Sequence, residues 1–330
     1  MNAMSLASLE SVAGEPTGDD DGAIALGPSQ AFVTSPAVQE ITERALAYLD
    51  AGYAVHFSGP PGTGKTTLAF HVAAQLGRPA ILLHGDHEFG SSDLIGRESG
   101  YRKSRVVDNY ISSVMKLEEE GRALWIDNRI TTACRLGHAI IYDEFNRSRP
   151  EANNPFLSIL SEGVLNVPGL HGRGEGYVNV HPQFRAIFTS NPVEYAGVHR
   201  TQDALLDRMI TLRLDHYDRD TEIAITAAKS GIEHGRAERV VDMVRLCRAE
   251  GPDPHHPTIR ASIALARVLA QRGGEASLRN PVFLWACRDV LGSMSSDGRG
   301  DRSVSSAFVD LLLRRFDGDG GMAPRPDGDV

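Results

Sequence analysis

The chain has 330 residues, 41% of them hydrophobic, and a formal net charge of −9. That length allows one large α/β domain and a smaller companion, and the acidic balance argues against a general affinity for the nucleic-acid backbone. Cys134, Cys247 and Cys287 lie far apart with no C-x-x-C spacing, so neither a disulfide framework nor a zinc site is expected and a reducing cytoplasm fits best.

Taken in chain order, residues 1–30 carry no Lys or Arg and include "TGDDDG". Such a composition buries too little apolar surface to offset its ordering entropy, and a disordered arm is expected there. The opening residues lack the basic and apolar regions of a secretory leader, and no run approaches the roughly 18 apolar residues of a membrane span. No membrane contact is expected. "YAVHFS" (53–58), "PAILLHGD", "HAIIYDEF" and "QFRAIFTSN" read as short strands separated by helical or turn-rich segments, the pattern of a parallel sheet covered by helices. In "GKTTLAFHVAAQLG", Leu68, Ala69, Val72, Ala73 and Leu76 share one helical face, stopped by Gly77 and Pro79.

From about Tyr217 the strands cease. "RDTEIAITAAKSG", "GRAERVVDMVRLCRAEG", "TIRASIALARVLAQRG", "NPVFLWACRDVLGSM" and "SVSSAFVDLLLRRFDG" read as helices, "DGRGDRS" as a loop and "FDGDGGMAPRPDGDV" as a tail. The expected organisation is an arm over 1–30, an α/β nucleotide-binding domain over 31–216, a helical lid over 217–316 and a disordered tail over 317–330. The segment from Glu88 to Asp127 permits two readings, a helix from Asp108 to Gly121 or a hairpin pairing toward "ALWID".

Three motifs carry chemistry. Gly59, Gly64, Lys65 and Thr66 fit G-x-x-x-x-G-K-[ST] with a strand before and a helix after. Glycines let successive N–H groups turn toward phosphate oxygens, and the helix N-terminus adds partial positive charge. Gly59, Pro60, Pro61, Gly62, Thr63, Gly64, Lys65, Thr66 and Thr67 are therefore the candidate ATP cradle, with Lys65 on the β and γ phosphates and Thr66 on Mg2+. Asp143 and Glu144 leave a buried strand at its carboxyl end, where open parallel sheets bind ligands. Asp143 would hold the magnesium, and Glu144 would polarise the attacking water. Asn191 suits either a turn before Pro192 or an amide facing the γ-phosphate and the water, and the order of the motifs favours the second. His84 and His87 around Asp86, and the pair His255 and His256 in a turn, lack the remaining ligands of a metal centre.

These pieces, with "SSDLIG", "DEFNRS", "LSILSEGVLNVPG", "TSNP", "ALLDRM" and "TIRASIALARVLA", resemble the MoxR-like branch of the AAA+ ATPases. Within it, "NRITTACRLGHAIIYDEFNRSRPEANN" and "SNPVEYAGVHRTQDALLDRMITL" look like the gas vesicle protein N family. The resemblance implies a P-loop AAA+ fold and an ATP-hydrolysing homo-oligomeric ring, usually of six subunits. Its implied partners are gas vesicle structural and accessory proteins, and its implied location is the cytoplasm in association with gas vesicles. It also implies that Asn191 is the first sensor, Arg208 the finger reaching a neighbouring subunit and Arg260 the second sensor. Arg200 and Arg213 lie near enough to compete for the finger's role. Met209 stands where many relatives have Phe. MoxR-like proteins carry a hairpin near 88–127, which favours that reading of the insertion. Two rivals are a nucleotide-binding scaffold or minor vesicle component with incidental hydrolysis, and a nucleic-acid motor on the same core.

Overall fold

The computed structural model describes residues 23–27, 32–88, 90, 94–108, 116–167, 176–191, 199, 201–251, 257–293 and 306–318. The strands are β1 (Ala54–Ser58), β2 (Ala80–His84), β3 (Gly96–Asp108), β4 (Lys116–Asp127), β5 (Ala139–Asp143), β6 (Val164–Asn166), β7 (Tyr177–Asn179), β8 (Arg185–Ser190) and β9 (Met209–Arg213). The helices are α1 (Pro36–Asp50), α2 (Lys65–Gln75), α3 (Arg129–Leu136), α4 (Pro155–Glu162), α5 (Asp203–Leu206), α6 (Arg219–Ser230), α7 (His234–Glu250), α8 (Ile259–Arg272), α9 (Pro281–Ser293) and α10 (Ser306–Gly318). The described residues fall into two compact units. The first lies within Met1–Pro28, Ile41–Ser58 and Thr66–Leu212, the second within Ser29–Glu40, Gly59–Lys65 and Arg213–Val330.

In the first unit, five strands form a sheet in the order β2-β5-β8-β1-β9. β2 runs parallel to β5, β5 to β8 and β8 to β1. β5 has both neighbours in register, with Ile141 paired to Leu82 on one side and to Ile187 on the other, so all five of its residues are buried. This is why "AIIYD" reads as an unbroken apolar run ending in a single carboxylate. Tyr142, Phe145, Phe156 and Phe188 pack with ring centroids 5.1 to 6.1 Å apart, in tilted or edge-on pairs, and form the aromatic centre of the core beneath the sheet's carboxyl edge.

The four expected strands are present, and β9 adds a fifth at the edge beyond β1. Its "MITLR" has only one alternation of burial and ends in a charge, too short a signal to stand out. Within the segment from Glu88 to Asp127, Gly96–Asp108 and Lys116–Asp127 pair as the antiparallel strands β3 and β4, with a register irregularity between Glu98 and Tyr101. The helical reading of that segment does not hold, because pairing across the hairpin satisfies backbone groups that a helix would have satisfied internally. Ile24, within the expected disordered arm, exchanges two backbone hydrogen bonds with Ala80 (2.8 and 3.0 Å). Expected disorder therefore does not reach that residue, since Ala80 opens the outermost strand β2 and offers it unpaired backbone groups. Residues 1–22 and 28–30 of the arm, the loop at 297–303 and the tail from 319 on lie outside the described residues.

In the second unit, α6 to α10 match the five helices read from the sequence, with α10 running to Gly318, past the expected boundary at 316. Their apolar faces enclose a second core around Val240, Val244, Leu265, Leu269, Phe283 and Leu312. Glu222 is buried in this unit and is neutralised by Arg248 (3.0 Å) and Arg245 (3.2 Å), as a buried carboxylate must be. The two units interleave along the chain where one boundary near residue 217 was expected. The phosphate-loop segment Gly59–Lys65 belongs with the C-terminal residues because its glycines leave room for them, as detailed below.

All three cysteines are free and buried, and burial pushes the Cys134 thiol up to about 12 and that of Cys247 to about 11. Among the described residues no helix is long and apolar enough to cross a membrane.

His56, on β1, ties three strands together. Its Nε2 lies 2.8 Å from Ser190 Oγ on β8 and its Nδ1 3.0 Å from Thr211 Oγ1 on β9, with the Phe145 ring edge-on at 5.3 Å. Burial lowers its pKa from 6.5 to about 4. The unfolded chain takes up this proton first as pH falls, so His56 favours folding above pH 6.5 and that advantage is lost progressively toward pH 4. Denaturant unfolding at a series of pH values should show a loss of roughly 3 kcal/mol from this group, and His56→Gln should flatten the pH dependence in that window.

Candidate active site

At the carboxyl end of β5 the Asp143 side chain is buried, and its Oδ1 accepts two hydroxyl hydrogen bonds. One comes from Thr66 Oγ1 on α2 at 2.8 Å, the other from Thr189 Oγ1 on β8 at 2.5 Å. Parallel pairing makes this meeting possible, because β5 and β8 end on the same edge of the sheet. His84 ends β2 with Nδ1 3.8 Å from Asp143 Oδ2, and His87 Nδ1 lies 3.2 Å from Asp86 Oδ1. No cluster of three or more His, Cys, Asp or Glu that would hold a metal occurs among the described residues. A hydroxyl and a carboxylate 2.8 Å apart are nevertheless the hard oxygen donors that Mg2+ takes when phosphates and water complete its shell.

Glu144 follows with φ 51° and ψ 39°. Among the described residues it is the one non-glycine residue in the left-handed region, a conformation costing an ordinary side chain of order 1 kcal/mol and kept where surrounding bonds impose it. Those bonds are visible. The Glu144 N–H donates to Thr189 Oγ1 at 2.9 Å, and the Arg147 N–H donates to the Glu144 carbonyl at 2.9 Å. The turn also needs Gly85, whose N–H donates to the Asp143 carbonyl at 2.8 Å. A Cβ at position 85 would fall 2.0 Å from the Glu144 carbonyl oxygen.

The Glu144 carboxylate leaves the sheet between two donors. Asn191 Nδ2 reaches its Oε1 at 3.3 Å and Arg147 Nε its Oε2 at 2.9 Å. Asn146 Nδ2 in turn donates to the Asn191 carbonyl at 2.8 Å. Ser148, which ends "DEFNRS", accepts from Tyr142 Oη at 2.7 Å and from the Asp86 N–H at 3.1 Å, so the motif's last hydroxyl fastens the turn to the core.

The second unit holds the phosphate-loop residues Gly59 to Lys65. Gly62 and Gly64 have φ of 82° and 79°, which their lack of a Cβ permits. Cβ atoms added at Gly59, Gly62 and Gly64 would fall 2.2 Å from the Leu214 carbonyl, 2.5 Å from the Thr258 side chain and 2.7 Å from the Tyr217 hydroxyl. Thr63 Oγ1 donates to the Pro60 carbonyl at 2.9 Å. The buried Lys65 ammonium donates to the carbonyls of Gly59 at 2.9 Å and Pro60 at 2.7 Å, which holds the cation over its own loop. Thr258 also caps α8, accepting from the Arg260 N–H at 3.3 Å. Arg260, on the first turn of that helix, is exposed. Burial raises the Tyr217 phenol to about 12, so it is a neutral donor and acceptor at physiological pH.

Residues 54–209 match the model of the AAA domain, dynein-related subfamily. The gas vesicle ATPase GvpN of Ancylobacter aquaticus is 49% identical over 84% of this chain and 78% of its own length. The chain belongs to the gas vesicle ATPase GvpN family. GvpN1 of Halobacterium salinarum is 40% identical over 86% of this chain and 81% of its own length. CbbQ of Hydrogenophilus thermoluteolus is a more distant relative, 25% identical over 56% of this chain and 61% of its own. With its fold and these relatives the chain is a MoxR-like AAA+ ATPase, in a family that binds nucleotide.

Of the residues singled out in the GvpN-like sequence, Thr66, Asp143, Glu144 and Asn191 are joined by direct bonds or by Thr189. Thr67 follows on the exposed side of α2. Arg208 stands apart, its Nε on Ser161 Oγ and its Nη1 on the Ala204 carbonyl. Arg200, Pro192, His255 and His256 lie outside the described residues. Sequence reasoning missed Thr189, Arg147 and Asn146. Thr189 had a usable signal, since it lies two residues before Asn191 and strand alternation sends both to one face. Gly85→Ala should cost about 2 kcal/mol or more, because the contact is with backbone that cannot move aside. Thermal melting should show the loss, with ATP turnover falling alongside it.

Proposed function

We propose that the chain hydrolyses ATP at a site assembled from Gly59 to Thr67, Asp143, Glu144 and Asn191, and that it uses the energy to promote protein assembly or remodelling in gas vesicle formation. The observation that carries the reading is the set of contacts at the end of β5, where the Thr66 hydroxyl and the Asp143 carboxylate meet and Glu144 stands one residue beyond, bonded to Asn191. Lys65 and Thr66 are consecutive in the chain, so one triphosphate reaches both.

Gly59 to Gly64 would cradle the phosphates with backbone N–H groups, and the three glycines, whose Cβ space is already filled, fit a loop that must curl tightly. Lys65 would leave its two carbonyl partners for the β and γ phosphates. Thr66 and Asp143 would hold Mg2+, which draws charge from the phosphate oxygens when bound. Glu144 orients the attacking water and accepts its proton at Oε1 or Oε2, while Asn191 Nδ2 fixes the carboxylate and the γ-phosphate side. Arg260 would contact the nucleotide from the first turn of α8.

Arg208 is proposed as the finger that completes a neighbouring subunit's site in a homo-oligomeric ring, of six subunits by resemblance. Such a charge delivered to the γ-phosphate is worth about a thousandfold or more in rate. It would first have to leave Ser161 and Ala204. The names of the GvpN relatives support gas vesicle components as partners and the cytoplasm around vesicles as the location. The formal charge of −9 supports a protein rather than a nucleic-acid client.

Glu144→Gln removes the proton acceptor while keeping the shape. The variant should bind ATP as the parent does, lose roughly 100-fold or more in turnover, accumulate as an oligomer and fail to restore vesicles in a cell lacking the parent chain. Parent-like phosphate release from Glu144→Gln would refute the role given to Glu144, and full complementation by a dead variant would favour the scaffold.

A further inference from the structure

We infer that Thr189 is a positioning residue for ATP hydrolysis, one hydroxyl that fixes the metal-holding carboxylate and the water-orienting glutamate relative to each other. The inference rests on the roles proposed above for Asp143 and Glu144.

Thr189 lies on β8 with its side chain fully buried. Its Oγ1 donates to Asp143 Oδ1 at 2.5 Å and accepts from the Glu144 N–H at 2.9 Å. A hydroxyl has one proton to give and lone pairs to receive with, so these two bonds use it in opposite senses and set its rotamer. The donated bond holds the plane of the Asp143 carboxylate. The accepted bond holds the Glu144 amide in the turn that gives this residue its left-handed φ of 51°.

The arrangement has a second consequence. In the structure Asp143 Oδ1 takes hydroxyls from both Thr66 and Thr189. Thr66 is the one that would turn its oxygen to Mg2+ when nucleotide is present, loosening its hold on Oδ1. Thr189 belongs to no ligand set, so its bond persists through that change. The carboxylate therefore keeps its orientation whether or not the metal is there, and the backbone of Glu144 is registered to the same atom. Serine would preserve both bonds. Valine has nearly the same shape, yet it removes both and leaves a Glu144 N–H without its acceptor.

The test compares the parent with Thr189→Val, Thr189→Ser and Thr189→Cys, measuring ATP affinity calorimetrically with and without Mg2+, kcat and KM for phosphate release, and thermal melting. Thr189→Val should leave metal-free ATP affinity unchanged, weaken the Mg2+-dependent part of binding roughly 10- to 100-fold and lower kcat by a similar factor, while Thr189→Ser restores both. If Thr189→Val melts too early to assay, Thr189→Cys carries the same expectation, because its thiol is a poor donor and acceptor. Parent-like Mg2+ dependence and kcat in the valine or cysteine variant would overturn the inference, as would a serine variant that fails to recover. Glu144→Gln assayed in parallel separates the two claims. Normal turnover there would remove Glu144 from the functional reading, and the Thr189 inference would then stand or fall on Mg2+-dependent affinity alone.

Discussion

A carboxylate sealed at the end of a buried strand must be given hydrogen bonds, and the way this chain does so organises the site. Asp143 closes a strand whose other four residues are apolar and paired on both sides. Carboxylate oxygens left there without hydrogen-bond partners would cost several kcal/mol, a large share of a domain's margin of stability. Thr66 and Thr189 supply the bonds from the helix after β1 and from the neighbouring strand. The constraint therefore brings the start of α2, the end of β5 and the end of β8 to one point, and those are the three elements from which the proposed ATP site is built.

Much of this was legible in the sequence because its signals are local. The phosphate loop is a contiguous pattern between a strand and a helix, and "AIIYDE" announces a doubly covered strand followed by two carboxylates. The five C-terminal helices repeat an apolar face of sufficient length. The structure confirms these elements and adds what no local pattern carries. β9 is short and has one burial alternation, and Ile24 is held by a single bridge to Ala80. The spacing of Thr189 from Asn191 hints at its face, but its bonds to Asp143 and Glu144 appear only once β8 is known to lie beside β5. Gly85 resembles a turn glycine until the Glu144 carbonyl is found where its side chain would be.

The glycines of the phosphate loop tell a related story in the second unit. Each is conventionally explained by the phosphates it approaches, yet here the same vacancies are filled by Leu214, Thr258 and Tyr217 of the C-terminal residues. The loop is thus shaped by two demands at once, a tight inward curl and close packing against the segment that leads into the helical unit. Thr258 meets Gly62 and caps the helix bearing Arg260, so a change in the loop's conformation on binding nucleotide would be felt first at the start of α8.

The claim beneath all of this is that the oxygen pair of Thr66 and Asp143 holds a magnesium-bound nucleotide. Electron paramagnetic resonance of Mn2+, added in place of Mg2+ with ATP to the full chain, measures it most directly. The protein should deplete the free Mn2+ signal beyond what the same ATP depletes alone, and Asp143→Asn should abolish that protein-dependent part while the chain stays folded. Protein-dependent depletion that survives Asp143→Asn unchanged, or none with the parent chain, would contradict the claim.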